Sequence, residues 1–184
     1  MSPGDKKLEF RATLLRPADP GDYPPWAFVV LPRQASAKLP RRGRTTVQGT
    51  LDGQGFQATL EPDGQLSHWL RVEDALFKAA GVKIGDAVRF EIIPVENEPE
   101  PAVPADFQKA LDASPEARSV WNDTTTIARL DWIHWIVSAR QARTRVKRIA
   151  EACDKLASGQ RRVCCFDPSG YYSKALSAPK AADH

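Results

Sequence analysis

The residues best suited to bind a ligand lie in ARQARTRVKRI, residues 139–149, which holds five basic side chains in eleven positions. Guanidinium and ammonium groups bind phosphates and carboxylates, and a threonine hydroxyl can add a hydrogen bond. The segment predicts a weak anion-recognition patch at the start of the last long helix, with a plain solvated helix face as the alternative. Its candidate contact residues are Arg140, Arg143, Thr144, Lys147 and Arg148.

A helical wheel divides this segment into two faces. One face is an apolar stripe that we expect to pack, formed by Ala142, Val146, Ile149, Cys153 and Leu156. The basic candidates fall on the opposite arc, so the fold does not need that arc to be basic. Glu151 lies within reach of Lys147 or Arg148 only, and it cannot compensate the whole group. Arg145, at the margin of the stripe, is placed to pair with a carboxylate on a preceding helix.

Tryptophans supply a second set of candidates. We expect Trp26 and Trp69 to line a ligand cleft at the junction of the two halves of the chain, with plain core packing as the alternative for Trp26. Trp132 and Trp135 lie in the apolar run WIHWIV and are predicted to be helical core.

Catalytic constellations are not evident, so we predict no catalytic residues, no cofactor and no metal ligands. His68 and His134 lie in different halves without a nucleophile motif, and His68 falls on the inward parity of a strand, which favours a core histidine. The three cysteines, Cys153, Cys164 and Cys165, and the histidines form no CxxC, HxxxH or HxE spacing. No phosphate-binding glycine loop occurs. The chain is therefore interpreted as leaning away from an enzyme.

Composition restricts the class of partner. The chain has 184 residues, 42% hydrophobic and 27% charged, which is ordinary globular usage, and its net charge of +3 is weak for a nucleic-acid binder. The basic run LPRRGR (39–44) keeps nucleic acid as the alternative partner. The start MSPGDKKLEF is not apolar, and the longest apolar runs are too short to cross a bilayer. With an odd number of cysteines, this predicts a cytoplasmic protein without membrane insertion.

The spacing of hydrophobic residues, which indicates the secondary structure around these candidates, changes along the chain. Residues 8–95 alternate with period two, which predicts an antiparallel β-barrel with turns at Asp52-Gly53, Asp63-Gly64 and Gly85-Asp86 and one short helix closed by Gly81. The predicted inward residues include Leu66 and His68. After the acidic, proline-rich segment PVENEPEPAVP the period is helical, and helices are expected to start at Pro104 and Pro115. A turn near 139–143 should divide the last run, with Thr144 or a neighbour as the cap.

These patterns predict an α+β chain: an N-terminal antiparallel barrel followed by a small all-α domain. The expected divisions are a disordered tail (1–7), the barrel (8–95), a Pro/Glu-rich linker (96–103), the helical domain (104–162) and a C-terminal tail (163–184). In that tail, Phe166, Tyr171 and Tyr172 could dock before the end frays.

Two sets of phrases resemble known families. WAFVVLP, TTVQGTLDGQGFQATLEPDG and GVKIGDAVRFEI resemble small uncharacterised bacterial domains, which implies a double-split barrel akin to AbrB-like proteins. VPADFQKALDASPEA, WIHWIVSARQARTRVKRI and LASG resemble the helical YdeI/OmpD-associated domain, named for bacteriocin protection and a porin. That domain tends to carry an acidic residue where this chain has Arg143, so the basic arc is stronger here. Because no catalytic constellation is found and a cleft is expected at the barrel–helix junction, we predict a bacterial accessory protein that binds a small anion, a peptide or a protein there. The alternative, which the AbrB-like resemblance of the barrel implies, is a nucleic-acid-binding regulator.

Overall fold

The protein is described by a computed structural model that covers residues 7–21, 25–163 and 177–183. The chain divides into two compact units. One contains the described residues up to Asn97 together with the C-terminal segment 177–183, and the other runs from Glu98 to Val163. The first unit is mainly antiparallel sheet and the second is helical, so the predicted α+β class is confirmed.

In the described part of the N-terminal unit there are six antiparallel strands: β1 (Leu8–Thr13), β2 (Trp26–Val30), β3 (Thr45–Leu51), β4 (Gln54–Pro62), β5 (His68–Glu73) and β6 (Ala87–Pro94). Their order in the sheet is β1-β6-β3-β4-β5-β2, and the sheet curls into a half-barrel. Its two edges meet at one point, where the backbones of Leu15 and Phe28 exchange hydrogen bonds of 2.8 and 2.9 Å. The concave side holds the core, which includes Leu14, Val47, Val72 and Phe90.

The β3–β4 hairpin turns at Asp52-Gly53 as predicted, with both residues at positive φ (46° and 86°), the backbone that a two-residue hairpin requires. The β4–β5 connection is longer. The Asp63 carboxylate accepts hydrogen bonds from the amides of Gln65 (2.7 Å) and Ser67 (2.8 Å). Leu66 has φ 67° and is 40% exposed, so its predicted inward position is wrong. The carboxylate-bound loop breaks the alternation on which that prediction depended.

Among the residues that the structure describes, two short helices accompany the sheet instead of the one predicted. Helix α2 (Asp74–Ala79) is the predicted one, and Gly81 follows it at φ 72°. Helix α1 (Arg33–Ser36) follows Pro32 directly and buries Ala35 and Ser36. Four residues are too few to show helical periodicity, so α1 left no pattern in the sequence.

The helical unit contains α3 (Ala105–Asp112), α4 (Pro115–Asp123), α5 (Thr126–Val137) and α6 (Ala142–Ala157). Every residue of α5 is buried or half-buried, which confirms the prediction of a helix buried on all sides. Pro104 is the residue before α3 and not its first residue, whereas Pro115 is the first residue of α4. Trp132 is fully buried, and its indole N–H donates to the Arg161 carbonyl at 3.0 Å.

The predicted break between the last two helices is confirmed, but two details of α6 differ. Gln141 is the residue that precedes α6, so Thr144 lies inside the first turn and is not the cap. Val146 is 68% exposed and Ala142 is also exposed, so the stripe predicted to pack is wrong at these positions. The buried face is formed by Ile149, Ala152 and Leu156. The half-buried Arg145 and Arg148 extend this buried face toward the start of the helix.

The C-terminal segment pairs with the chain near its start. The amide of Ala18 donates to the Lys180 carbonyl, and that of Ala182 donates to the Arg16 carbonyl, both at 2.8 Å. The predicted fraying is therefore wrong for residues 180–182. Phe166, Tyr171, Tyr172, Cys164 and Cys165 lie outside the described residues, as does most of the predicted N-terminal tail. Within the described part of the chain, no helix has the length and apolar character that a bilayer crossing requires.

Candidate anion-binding site

The five basic-segment candidates flank the turn between α5 and α6. Arg140 lies in the turn itself, Arg143 and Thr144 lie in the first turn of α6, and Lys147 and Arg148 lie in the second. Arg140 and Arg143 are exposed, and Thr144 is half-buried. The Lys147 side chain is 75% exposed, and its amine lies 3.9 Å from the Glu151 carboxylate, at the limit of an ion pair.

The start of α6 lacks the hydrogen-bond acceptors that usually cap the N-terminus of a helix. Gln141 makes no side-chain capping bond, and no acidic residue stands in the first turn. The first intrahelical bond runs from the Arg145 amide to the Gln141 carbonyl at 3.0 Å, so the amides of Ala142, Arg143 and Thr144 have no acceptor within the helix. Aligned peptide dipoles place partial positive charge at this end. We call Arg140, Arg143, Thr144, Lys147 and these three amides the turn patch.

Arg148 has a structural role. Its Nη1 donates to the Trp135 carbonyl at 2.6 Å and to the Ser138 hydroxyl at 3.0 Å. Its guanidinium carbon lies 5.5 Å from the centre of the Trp135 ring. Arg148 therefore satisfies the C-terminal end of α5, where carbonyl groups lack intrahelical donors. The expectation that it faces away from the packed side is wrong, because its side chain lies against α5.

Arg145 makes the ion pair expected of it. Its Nε and Nη2 donate to the two carboxylate oxygens of Asp106 on α3, at 2.7 and 3.0 Å. The hydrogen bond from Arg145 is the main reason that the pKa of Asp106 lies below its ordinary value. The two-point geometry fixes α6 to the first turn of α3. Arg145 thus serves the fold, and its charge is compensated locally.

Two family models match the chain. The model described as "Bacteriocin-protection, YdeI or OmpD-Associated" (OmdA) matches residues 100–159, and the model of a domain of unknown function, DUF1905, matches residues 10–92. The N-terminal unit is therefore similar to DUF1905 and the helical unit to OmdA, and we call the two matched regions the DUF1905 domain and the OmdA domain. No curated protein matches it. The resemblance recognised in the sequence is confirmed, and the turn patch belongs to the OmdA domain.

Trp26 and Trp69 lie in the DUF1905 domain, on the neighbouring strands β2 and β5. Both rings lie beside Phe28, with centroid distances of 6.4 and 6.3 Å, and both residues are half-buried. The Trp26 indole N–H donates to the Pro20 carbonyl at 3.1 Å, and the Arg71 guanidinium carbon lies 4.4 Å from the Trp26 ring centre. The two tryptophans thus border one aromatic row of the sheet.

His68 is a core histidine, as its parity predicted. Its Nε2 lies 2.9 Å from the Gly43 carbonyl oxygen, which can only accept, so Nε2 carries the proton. Nδ1 then accepts from the Ser36 hydroxyl at 2.7 Å. Burial is the main cause that lowers the pKa of His68 below its ordinary value. Ser36 and His68 are both fully buried, so this pair has no access to a substrate. No pattern in the sequence indicates this pairing, because Ser36 lies on helix α1, which was not predicted.

The arginines of LPRRGR are largely engaged by the fold. Arg42 donates to the carbonyls of Ser36 (2.8 Å) and Leu66 (3.3 Å), and Arg44 pairs with Glu61 at 3.3 Å. No group of three or more potential metal-ligating side chains occurs among the described residues. Burial is the main reason that the pKa of the Cys153 thiol lies above its ordinary value, which makes it a poor nucleophile.

Proposed function

We propose that the chain is a non-enzymatic binding protein whose OmdA domain recognises an anionic group through the turn patch. The anionic group belongs to a small anion, a peptide or a protein partner. The observation that carries the proposal is the uncapped start of α6, where exposed basic side chains surround amides that no side chain of the helix satisfies.

Electrostatics support this assignment over a plain solvated face. Cations near a helix N-terminus oppose the helix dipole, and acids are the favoured residues there. The turn patch has the reverse arrangement, with Arg143 in the first turn and the acids Glu151 and Asp154 confined to the second half of α6. An anion bound at the amides of Ala142–Thr144 would remove that unfavourable interaction.

The family description supports a binding role rather than a chemical one. It names bacteriocin protection and association with OmpD, and an association is recognition of another molecule. We extend this description to the chain as part of the proposal, together with a cytoplasmic location, for which the odd number of cysteines is the support. Trp26 and Trp69 stay in the proposal as contact residues of the DUF1905 domain, because each half-buried ring leaves part of its surface open to a partner.

Nucleic acid is the less favoured partner. A duplex is bound through several free cations that neutralise phosphates. Arg42 and Arg44, two of the three arginines in LPRRGR, are instead bonded to carbonyls or to a carboxylate of the same domain. This removes much of the basic surface on which the AbrB-like alternative depends.

The test is a charge reversal of the turn patch. The variant Arg140→Glu/Arg143→Glu/Lys147→Glu leaves Arg145 and Arg148 intact, since both hold helices together. Its matched control reverses three exposed cations elsewhere in the helical unit, Lys109, Arg118 and Arg162. Binding of fluorescein-labelled hexaglutamate is followed by anisotropy at low and at about 0.3 M salt, with a DNA duplex as the second probe.

We expect the native protein to bind hexaglutamate in a salt-sensitive manner. The patch variant should bind roughly tenfold or more weakly, and the control within roughly twofold of the native protein. Equal losses of binding in both variants would show that binding depends on net charge and not on the turn patch. Tighter binding of the duplex than of the peptide would favour the nucleic-acid alternative.

A further inference from the structure

A groove of about 310 Å³ separates strand β1 from helix α1 in the DUF1905 domain. Its apolar lining comes from Leu8, Phe10, Pro32 and Ala35, and its polar rim from Lys7, Glu9, Arg11, Gln34 and Lys38. Among the described residues, β1 is an edge strand of the sheet and pairs with β6 alone. The groove therefore runs along an open edge.

Hydrogen bonds fix which backbone groups of β1 face the groove. Leu14 bonds toward β6, because its amide donates to the Asp86 carbonyl (2.9 Å) and its carbonyl accepts from the Gly85 amide (2.8 Å). Leu15 bonds to the opposite side, to Phe28. Backbone groups alternate sides along an antiparallel strand, so those of Glu9 and Arg11 point away from β6 and into the groove.

The partner strand confirms this alternation from the other side. Arg89 of β6 lies opposite Arg11. Its amide and carbonyl are both bonded to Asp52, each at 2.9 Å, on the side of β3. The Arg11–Arg89 pair is therefore a non-hydrogen-bonded pair of the ladder. Among the described residues, the amides and carbonyls of Glu9 and Arg11 have no backbone partner.

A proline explains why the protein leaves this edge open. The Leu15–Phe28 bridge sets an antiparallel register that, if continued, would place Pro32 opposite Arg11 and Gln34 opposite Glu9. Pro32 has no amide hydrogen to donate, and the chain turns there into α1. β2 therefore leaves β1 after one bridge, and the space that a continued strand would fill is the groove.

The charges around the groove are unbalanced. Lys7 is held by Glu91 at 3.1 Å and by Glu9 at 3.4 Å. Arg11 and Lys38 are exposed, and neither forms an ion pair within the described part of the chain. Two uncompensated cations thus lie above an apolar floor and beside two open backbone positions.

We propose that this groove binds an extended peptide strand in which acidic and apolar residues alternate. The peptide backbone pairs with Glu9 and Arg11, its apolar side chains lie over Leu8, Phe10 and Ala35, and its carboxylates meet Arg11 and Lys38. Acidic and apolar residues alternate in such a peptide because successive side chains of a strand point to opposite faces. This site lies in the DUF1905 domain and is independent of the turn patch.

The test uses the capped peptide EVEVEVE with two controls, KVKVKVK for charge and EVEPEVE for backbone pairing. Amide hydrogen exchange of the full chain is measured with and without each peptide. With EVEVEVE, exchange at the Glu9 and Arg11 amides should slow by roughly tenfold or more, and that at the Phe10 amide, already bonded to β6, should not change. Neither control peptide should protect these amides.

Protein variants distinguish binding in the groove from a general effect of the protein's net charge. Arg11→Glu/Lys38→Glu should weaken EVEVEVE binding by roughly tenfold, whereas Arg16→Glu/Lys83→Glu, which reverses two exposed cations outside the groove, should change it by less than about twofold. Reversal of the turn patch should leave this binding unchanged, so the two proposals can fail separately.

Three results would overturn the groove proposal. One is equal binding of EVEVEVE and KVKVKVK. Another is binding that leaves the Glu9 and Arg11 amides unprotected. The third is protection of these amides without peptide, and if that protection grows with protein concentration, the occupant of the edge is a second copy of the chain.

Discussion

At the residue scale, the fold uses several polar side chains as internal connectors. Sequence reasoning found one of them, Arg145, because it stands at the margin of an apolar stripe with carboxylates available on earlier helices. The helical wheel placed Arg148 among the ligand-contact residues, because a wheel cannot show where the preceding helix ends. The carbonyl of Trp135 at that end is what binds Arg148.

Arg148 and Arg143 provide a matched pair of variants. Arg148→Ala should lower the unfolding free energy of the helical domain by about 1–2 kcal/mol, since it removes two donated hydrogen bonds and a contact with Trp135. Arg143→Ala, at an exposed position, should change it by less than about 0.5 kcal/mol. Urea unfolding checks both. Equal losses would contradict the structural role that the contacts of Arg148 indicate.

His68 predicts a pH dependence of stability. Its folded-state pKa lies below the ordinary 6.5, mainly through burial, so the neutral form is favoured by folding. Its contribution is complete above pH 6.5 and is lost as the pH falls from there through the folded-state pKa. Arg42 acts in the same direction as burial, and Asp63 opposes it.

The measurement is the unfolding free energy between pH 7 and 5, for the native protein and for His68→Gln. The variant keeps a donor for Gly43 but leaves Ser36 without its acceptor, so at pH 7 it should lose about 1–3 kcal/mol. The difference between the two proteins should shrink as the pH falls. A constant difference would mean that His68 does not titrate in this range.

At the element scale, period-two alternation and hairpin turns predicted the strands, because both are local signals. The β4–β5 loop and α1 could not be predicted, since the Asp63 loop and the contacts of Ser36 depend on distant parts of the chain. Gly49 is a further case: a Cβ there would lie 1.9 Å from the Glu91 carbonyl oxygen on β6. Nothing in TTVQGTL indicates that close approach.

Gly49 and Gly85 are required in the sheet domain for different reasons, and a substitution at each tests this. Gly49→Ala should destabilise the DUF1905 domain by about 2–3 kcal/mol, because β3 and β6 must separate to admit a methyl group. Gly85→Val should cost about 1–2 kcal/mol for a different reason, its φ of 95°, which β-branched residues avoid. Urea unfolding measures both. An unchanged midpoint for Gly49→Ala would contradict the observed spacing of β3 and β6.

Tryptophans test the packing of α5. Trp132 is fully buried, so Trp132→Ala should cost about 3–5 kcal/mol. Trp135 was predicted to be equally buried, but it is half-buried, with Lys155 at 5.1 Å from its ring as well as Arg148. Trp135→Ala should therefore cost less, about 1–2 kcal/mol. A larger loss at Trp135 than at Trp132 would contradict this ranking.

At the scale of the whole molecule, the change of hydrophobic period at the proline-rich segment separates sheet from helices. The sequence could not show that part of this segment is anchored. Glu100 accepts hydrogen bonds from Arg129 at 2.6 and 3.0 Å and from Thr126 at 2.9 Å, and these lower the pKa of Glu100. The return of residues 180–182 to residues 16–18 was equally unforeseen, because small polar residues carry no pairing signal.

The proposed binding of anions at the start of α6 can be followed residue by residue through amide chemical shifts. Hexaglutamate is titrated into the isotope-labelled full chain and into its Arg140→Glu/Arg143→Glu/Lys147→Glu variant. We predict that the largest shifts in the OmdA domain occur at the amides of Ala142, Arg143 and Thr144, and that they disappear in the variant and at about 0.3 M salt. Shifts that are absent at these three amides, or that persist in the variant, would contradict the claim and leave ARQARTRVKRI as a solvated helix face.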